Sequence, residues 1–240
     1  MTTNDIIDFD TKGYIVFNPG LDDSLIERAV EFTRRDFGEI HSGRRQDAWK
    51  RCSAVKEIAT HPAILSKLFE LYGREAVPFQ TLNFMVGTQQ AIHSDTIHFN
   101  SDPQGLMCGV WVALEDVDEE NGPLAYYEGS HRLPEVNMQT IGIDPVESNY
   151  TKYEGYIESM IERLGISDTH RLGTIKRGEA LIWAANLLHG GSPIIDDERT
   201  RMSQVTHYFL RGADRYYTPM LSNPSEGKFF LRNLAAMEIR

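Results

Sequence analysis

Between Gly73 and Phe79 the spacing of apolar residues changes, and that change of period limits the fold more than any other feature of the chain. Ahead of it lie one short apolar β run, Gly13 to Phe17, and two helical stripes. The first helix can be capped by Asp22, Asp23 or Ser24. It carries Leu25, Ile26, Ala29, Val30 and Phe37 near one face and ends at Gly38. The stretch Glu39 to Gln46 is polar and reads as a loop. The second helix spans Pro62 to Tyr72, with proline at its first position and Gly73 after it. Beyond Gly73 the pattern is of strands: Phe79 to Val86, the long apolar run Leu106 to Leu114, Gly173 to Ile175, Ala180 to Trp183 and Arg201 to Leu210. Asn121-Gly122-Pro123 signals a turn, after which Leu124 to Tyr127 reads as the returning strand. One further helix, Asn149 to Leu164, interrupts them. Helices in front and short, turn-rich strands behind predict a mainly β fold, a sandwich or barrel with helices packed outside it.

The 240 residues suffice for one large domain with its own core. No repeat, low-complexity tract or Pro/Gly/Ser linker divides them, so a single domain over 1–240 is expected. A formal net charge of −11 argues against non-specific nucleic-acid binding, which relies on Lys and Arg, and against docking on anionic membranes. The N-terminus lacks the basic and apolar regions of a signal peptide, and no stretch of roughly 18 apolar residues occurs to span a membrane. Cys52 and Cys108 form no metal-type pair, and a reduced, cytoplasmic setting is expected. No feature speaks to oligomeric state.

Of the eight histidines, His93 is the most informative, because Asp95 follows at a spacing of two. On a strand, positions i and i+2 share a face, so an imidazole and a carboxylate converge. Such a pair is two-thirds of the facial triad of non-haem iron oxygenases, which leaves coordination positions open. The third ligand must come from elsewhere in the chain. His189 is the best candidate: it ends an apolar segment and precedes Gly190-Gly191, glycines that let backbone pack close to a metal and its co-substrate. A basic residue downstream would grip the far carboxylate of 2-oxoglutarate, and both Arg199 and Arg201 qualify. Arg201, Ser203 and Val205 alternate on one face of the expected strand, so Arg201 and Ser203 can reach that carboxylate together. His61 and His170 read as surface or core residues, and His131 and His207 as structural. His98 lies near the candidate site and could face the substrate. Trp111 and Trp183, on apolar strands, read first as core.

Together these residues resemble the phytanoyl-CoA dioxygenase family. The matching segments run in order: His93-Ser94-Asp95, Gly109 to Asp116, Asn121-Gly122-Pro123-Leu124, Gly129-Ser130-His131, then His189-Gly190-Gly191-Ser192 with Arg201 downstream. The opening Gly13-Tyr14-Ile15-Val16 and the helix after it also look like that family's start, so the resemblance covers nearly the whole chain. It implies a double-stranded β-helix (jelly-roll, cupin-like) core, with iron(II), 2-oxoglutarate and oxygen. By similarity His93, Asp95 and His189 hold the metal, Arg201 binds the far carboxylate, Trp111 lies beside the co-substrate and Asn83 is a further candidate for that pocket. The family usually has proline before Gly-Ser-His, where this chain has Glu128. The chain is also compact for a large acyl-CoA.

The implied activity is that of an oxidoreductase. An unactivated C–H bond of a small molecule is oxidised while 2-oxoglutarate becomes succinate and carbon dioxide. Related halogenases have a small residue in place of the carboxylate, so Asp95 favours hydroxylation over halogenation. The segment Leu133 to Ser167, rich in Tyr, Met and acidic residues, reads either as a lid over the substrate or as a packed insertion. Two rival readings remain: a cupin-like metalloenzyme that uses no 2-oxoglutarate, and a catalytically inactive binding module on the same fold.

Overall fold

The long apolar run forms a strand buried on both faces. It is β5 (Met107–Ala113), and each of its residues is buried. In the computed structural model, which describes residues 3–39, 42–143 and 150–239, β5 lies inside a six-stranded antiparallel sheet. On one side of β5 come β8 (Ala180–Ala184) and then β1 (Tyr14–Phe17). On the other come β10 (Ser203–Leu210), β3 (Ala76–Phe84) and β2 (Arg45–Gln46).

Both faces of this sheet are covered, which explains why β5 shows no polar alternation. Val110 and Val112 pack with Ile26 and Ala29 of α2 (Asp23–Phe37), Ile58 of α3 (Ser53–Ala59), and Ile64 and Leu68 of α4 (Pro62–Tyr72). Trp111 and Ala113 point the other way, into a cluster with Leu82, Leu181, Trp183 and Val205. That cluster also takes in Tyr126 of a second, three-stranded sheet, ordered β7 (His170–Gly173), β6 (Leu124–Tyr127), β9 (His189–Gly191). Two antiparallel sheets thus enclose an inner core, as in a jelly roll. A third pair, β4 (Asn100–Asp102) with β11 (Arg215–Tyr217), adds to one end.

One expected pairing is corrected. β6 does not return onto β5; its partners are β7 and β9. Asn121 anchors the crossing between the sheets, its side-chain amide donating to the carbonyls of Asp116 and Thr200 while its Oδ1 accepts from the Asp118 amide. The Glu39–Gln46 stretch, expected as loop, ends in β2 on the sheet edge. The helix expected from Asn149 is α5 (Tyr150–Leu164), with Asn149 itself outside the described residues. Three helices were not expected: α1 (Thr3–Lys12), α3 and α6 (Leu234–Met237). Within the expected lid, 144–149 lie outside the described residues, as does His41. α5 buries Tyr153, Ile157, Met160 and Ile161 against Ile97, Val136, Met138 and Leu188. No helix among the described residues is long and apolar enough to cross a membrane.

Candidate metal centre

His93 and His189 are 96 residues apart by number, and a reciprocal backbone pair joins them. The His93 amide donates to the His189 carbonyl at 2.9 Å, and the His189 amide to the His93 carbonyl at 2.8 Å. His189 opens β9, whereas His93 and Asp95 do not share a regular strand. Asp95 instead starts a 3-10 turn, Asp95–Ile97, and its amide donates to the Ala185 carbonyl at 2.9 Å. His93 and Asp95 therefore do not converge by strand alternation; pairing with the β8–β9 connection brings them together. His93 Nε2 and His189 Nε2 each lie 3.9 Å from Asp95 Oδ1, and the three ligand atoms fall within 4.8 Å of one another. All three side chains are buried.

Each imidazole is held by its far nitrogen. His93 Nδ1 lies 2.9 Å from the Ala91 carbonyl and His189 Nδ1 2.9 Å from the Leu187 carbonyl. A carbonyl only accepts, so Nδ1 carries the proton and Nε2 presents its lone pair to the site. Asp95 is fixed from the opposite side: the Trp183 indole N–H donates to Oδ2 at 2.8 Å. The indole reaches there by lying across Gly109. A Cβ at Gly109 would sit 2.1 Å from Trp183 Cζ2. Burial, reinforced by nearby His189, pushes the His93 imidazole down to about 3. Burial acts to raise the Asp95 carboxyl, but the surrounding histidines and the Trp183 hydrogen bond hold it below its ordinary range. At neutral pH His93 is therefore a neutral imidazole and Asp95 a carboxylate, the protonation states a divalent metal needs of them.

These atoms line a cavity of about 150 Å³ between the two sheets. Arg201, 3% exposed, lines it too. Its Nη1 donates to Ser203 Oγ at 2.8 Å, and its guanidinium carbon lies 5.3 Å from the Trp111 ring centre and 5.7 Å from that of Phe84. Burial lowers the Arg201 guanidinium to about 10, so it stays charged at neutral pH. Arg201 Nε has no hydrogen-bond partner, and neither has the buried Trp111 indole N–H. The Glu115 carboxylate, which is close enough to favour the charged guanidinium, is engaged by the Met202 amide and the Thr200 hydroxyl. A buried cation with donors to spare fits the far carboxylate of a dicarboxylic acid. Arg199 is elsewhere, paired with Asp118 and Glu120 at the surface.

Other expectations fare differently. Asn83 does not reach the cavity: Gln80, Leu82 and Phe84 of β3 line it, and Asn83 between them faces the helices. It is paired in register with Gln204, whose amide bonds the Val55 carbonyl of α3. Gly190 and Gly191 line the cavity beside the metal centre, and they also serve a second close approach. A Cβ on Gly190 would lie 2.6 Å from the Gln90 carbonyl, and one on Gly191 2.7 Å from the Gln89 amide. The glycines admit the backbone that leads to His93. His98 lines the cavity, its Nε2 3.3 Å from the Tyr150 hydroxyl of α5. His131 is structural, held by the Asp10 carbonyl against Gly13. His207 is more than structural: it lines the cavity with Nε2 3.7 Å from Asp95 Oδ2, and its Nδ1 lies 3.0 Å from Gln80 Oε1. The signal was present, because His207 continues the alternation Arg201, Ser203, Val205 by one more step. Gln80, Gln90 and Arg44 were also missed; for Arg44 and Gln80 the place depends on pairing between distant segments.

A buried two-histidine, one-carboxylate set inside a jelly roll is the donor set of the mononuclear non-haem iron oxygenases. The sequence comparison then places the chain: residues 9–203 match the family model of phytanoyl-CoA dioxygenase (PhyH), and the chain belongs to that family. A Danio rerio protein, phytanoyl-CoA dioxygenase domain-containing protein 1, is 44% identical over 124 residues, 51% of this chain and 38% of that protein. The match thus spans well under half of that relative's length. Among solved structures, the non-haem alpha-ketoglutarate-dependent carbocyclase SnoK from nogalamycin biosynthesis superposes with a TM-score of 0.75 at 16% identity, over 98% of this chain and 95% of its own. The epimerase SnoN, in complex with Fe3+, alpha-ketoglutarate and nogalamycin RO, gives 0.67 at 18% identity, over 95% and 94%. The fold is therefore the cupin-like jelly roll of these enzymes, and the His-Asp-His set suits iron(II) with 2-oxoglutarate.

Proposed function

We propose that the protein is an iron(II)- and 2-oxoglutarate-dependent dioxygenase that hydroxylates a C–H bond of a small molecule, with His93, Asp95 and His189 as the metal ligands. The observation that carries this is the convergence of those three buried side chains beside an under-satisfied, buried Arg201. Iron(II) with 2-oxoglutarate and oxygen supplies an oxidant strong enough for such a bond, with release of succinate and carbon dioxide. The chain's own work is positioning. The Ala91 and Leu187 carbonyls aim the two imidazoles, and Trp183 occupies Asp95 Oδ2 so that Oδ1 is the ligating oxygen. Arg201 and Ser203 receive the far carboxylate, while Trp111, Phe84 and Val205 wall the cavity against water. Because Asp95 supplies the carboxylate, hydroxylation is favoured over halogenation. α5 gives the lid reading a physical form: Tyr150 meets His98, and the Tyr153 hydroxyl accepts from the Ser94 amide at 3.1 Å. The helix is thus tied to the residues on either side of Asp95, and we infer one domain over 1–240 with this segment closing on bound substrate.

The test is a screen for small molecules that stimulate succinate release by the iron-loaded protein. A product one oxygen atom heavier than its substrate supports the reading. A product of unchanged mass, or one lacking two hydrogens, overturns hydroxylation while leaving the oxygenase class intact. Metal-dependent turnover of a substrate without any need for 2-oxoglutarate would favour the cupin-like rival.

A further inference from the structure

Two cationic side chains line the cavity, Arg201 and Arg44. Arg201 is committed to the co-substrate if the protein is a 2-oxoglutarate-dependent dioxygenase, and the role assigned to Arg44 rests on that proposed function. Arg44 precedes β2, is exposed, and has no carboxylate partner among the described residues. Its neighbours differ. Arg45 and Arg51 share Asp36, and Arg199 holds Asp118.

Its position separates it from Arg201. Arg44 is exposed and leads into β2 on the sheet edge, whereas Arg201 is buried and bonded to Ser203 at the start of β10. Arg44 therefore serves the outer rim of the cavity and Arg201 its interior. The uncharged polar residues that line the cavity with it include Gln46, Gln80, Thr88 and Gln90; among the described lining residues Asp95 is the one carboxylate. The lining thus has donors for an anion and, apart from Asp95 at the metal centre, no acid to bind a cation. Size points the same way. At about 150 Å³ the cavity is smaller than the roughly 300–1,000 Å³ that enclose a drug-sized ligand. A substrate sharing it with 2-oxoglutarate must leave part of itself at the mouth, and the mouth is where Arg44 lies.

We propose that the substrate is a small organic anion, a carboxylate or phosphate ester, whose acidic group is gripped at the cavity mouth by Arg44 while its reacting C–H bond faces the metal centre. A guanidinium offers a two-point grip to either group. Because Arg44 is exposed, the grip is sensitive to salt. The surface as a whole repels anions, so Arg44 also selects which part of the substrate enters last.

The test uses benzoate and phenyl phosphate as probes, with benzamide as the neutral analogue. Each is titrated by calorimetry, without oxygen, into protein holding iron(II) and 2-oxoglutarate. Wild type should bind one of the anions at least about tenfold more tightly than benzamide, and binding should weaken as salt is raised. Arg44→Gln should lose about five- to tenfold, Arg44→Lys should recover part of it and Arg44→Glu should abolish it. Which anion binds tells carboxylate from phosphate. Equal binding of benzoate and benzamide, unchanged binding in Arg44→Gln, or no binding of either anion to wild type would overturn the proposal. The visible charge-transfer band of the same samples reads the co-substrate separately. Its loss in Arg44→Gln would place Arg44 on 2-oxoglutarate and also overturn the proposal. Its absence from iron-loaded wild type would sink the oxygenase reading, while the anion preference is still read from the calorimetry alone.

Discussion

Replacing Trp183 by phenylalanine removes one hydrogen bond from the site together with part of the indole's packing over Gly109 and beside His189. The lost bond is the 2.8 Å donation from the indole to Asp95 Oδ2, buried at both ends. A hydrogen bond to a charged group contributes about 1.5–3 kcal/mol. If it holds Asp95 in its ligating pose, metal affinity should fall about 10- to 100-fold, the range seen when partners behind metal ligands are removed. The assay is competition for nickel(II), a redox-stable stand-in, against a chromophoric chelator. Trp111→Phe is the control, because Trp111 is equally buried but its indole N–H has no partner; its metal affinity should stay within about twofold. Gly109→Ala offers an independent route to the same result. Its Cβ would collide with the Trp183 ring, and it should weaken metal binding while costing about 1–3 kcal/mol of stability from overpacking. If Trp183→Phe binds nickel as tightly as Trp111→Phe, then Asp95 is positioned by its backbone and the role given to Trp183 is wrong.

Arg201→Ala should raise the 2-oxoglutarate concentration needed for half-saturation at least about 30-fold, since truncating a buried, hydrogen-bonded cation costs about 2–5 kcal/mol. Arg199→Ala, at an exposed ion pair, should leave it unchanged; equal effects in steady-state titrations would reassign the clamp. The metal-free protein should lose stability as pH falls below about 6.5. The unfolded chain protonates His93 and His207 there, while the folded one resists until about 3 and about 4, so the stability is present above the unfolded value and lost toward the folded ones. Melting temperature against pH, with and without nickel, checks this, and a metal-free profile flat from pH 7 to about 4 would contradict it. Gly190→Ala should disturb the His93–His189 backbone pair and cost metal affinity and stability together, measurable by the same chelator competition and thermal melts.

How much of the fold and site is legible in the sequence depends on where each signal resides. The apolar run of β5 and the capped, periodic α4 are local patterns, and they appear with nearly the expected bounds. α1 is not local. Its acid-rich, β-branched sequence has a weak helical stripe and is held by tertiary packing, such as Phe9 edge-on to Tyr72 at 5.4 Å. α3, at seven residues, is too short to show a period and is fixed by burying Val55 and Ile58. Parity decides the site residues. Counting in twos along β10 places Arg201 and Ser203, and the same count, carried further, gives His207. Along β3 no neighbouring residue fixes the count, and Asn83 lies one position away from the inward face. The destination of β6 and the place of Arg44 depend on which strands pair, information that is held in long-range packing and not in either segment alone.

On the proposed function, His93, Asp95 and His189 hold an iron that chelates 2-oxoglutarate. The most direct measurement adds iron(II) and then 2-oxoglutarate to the protein without oxygen and records the visible spectrum, for wild type and for His189→Ala. A weak metal-to-ligand charge-transfer band in wild type, absent from His189→Ala, is the predicted result. A wild type that binds iron yet shows no band, or a band that persists undiminished in His189→Ala, would contradict the claim.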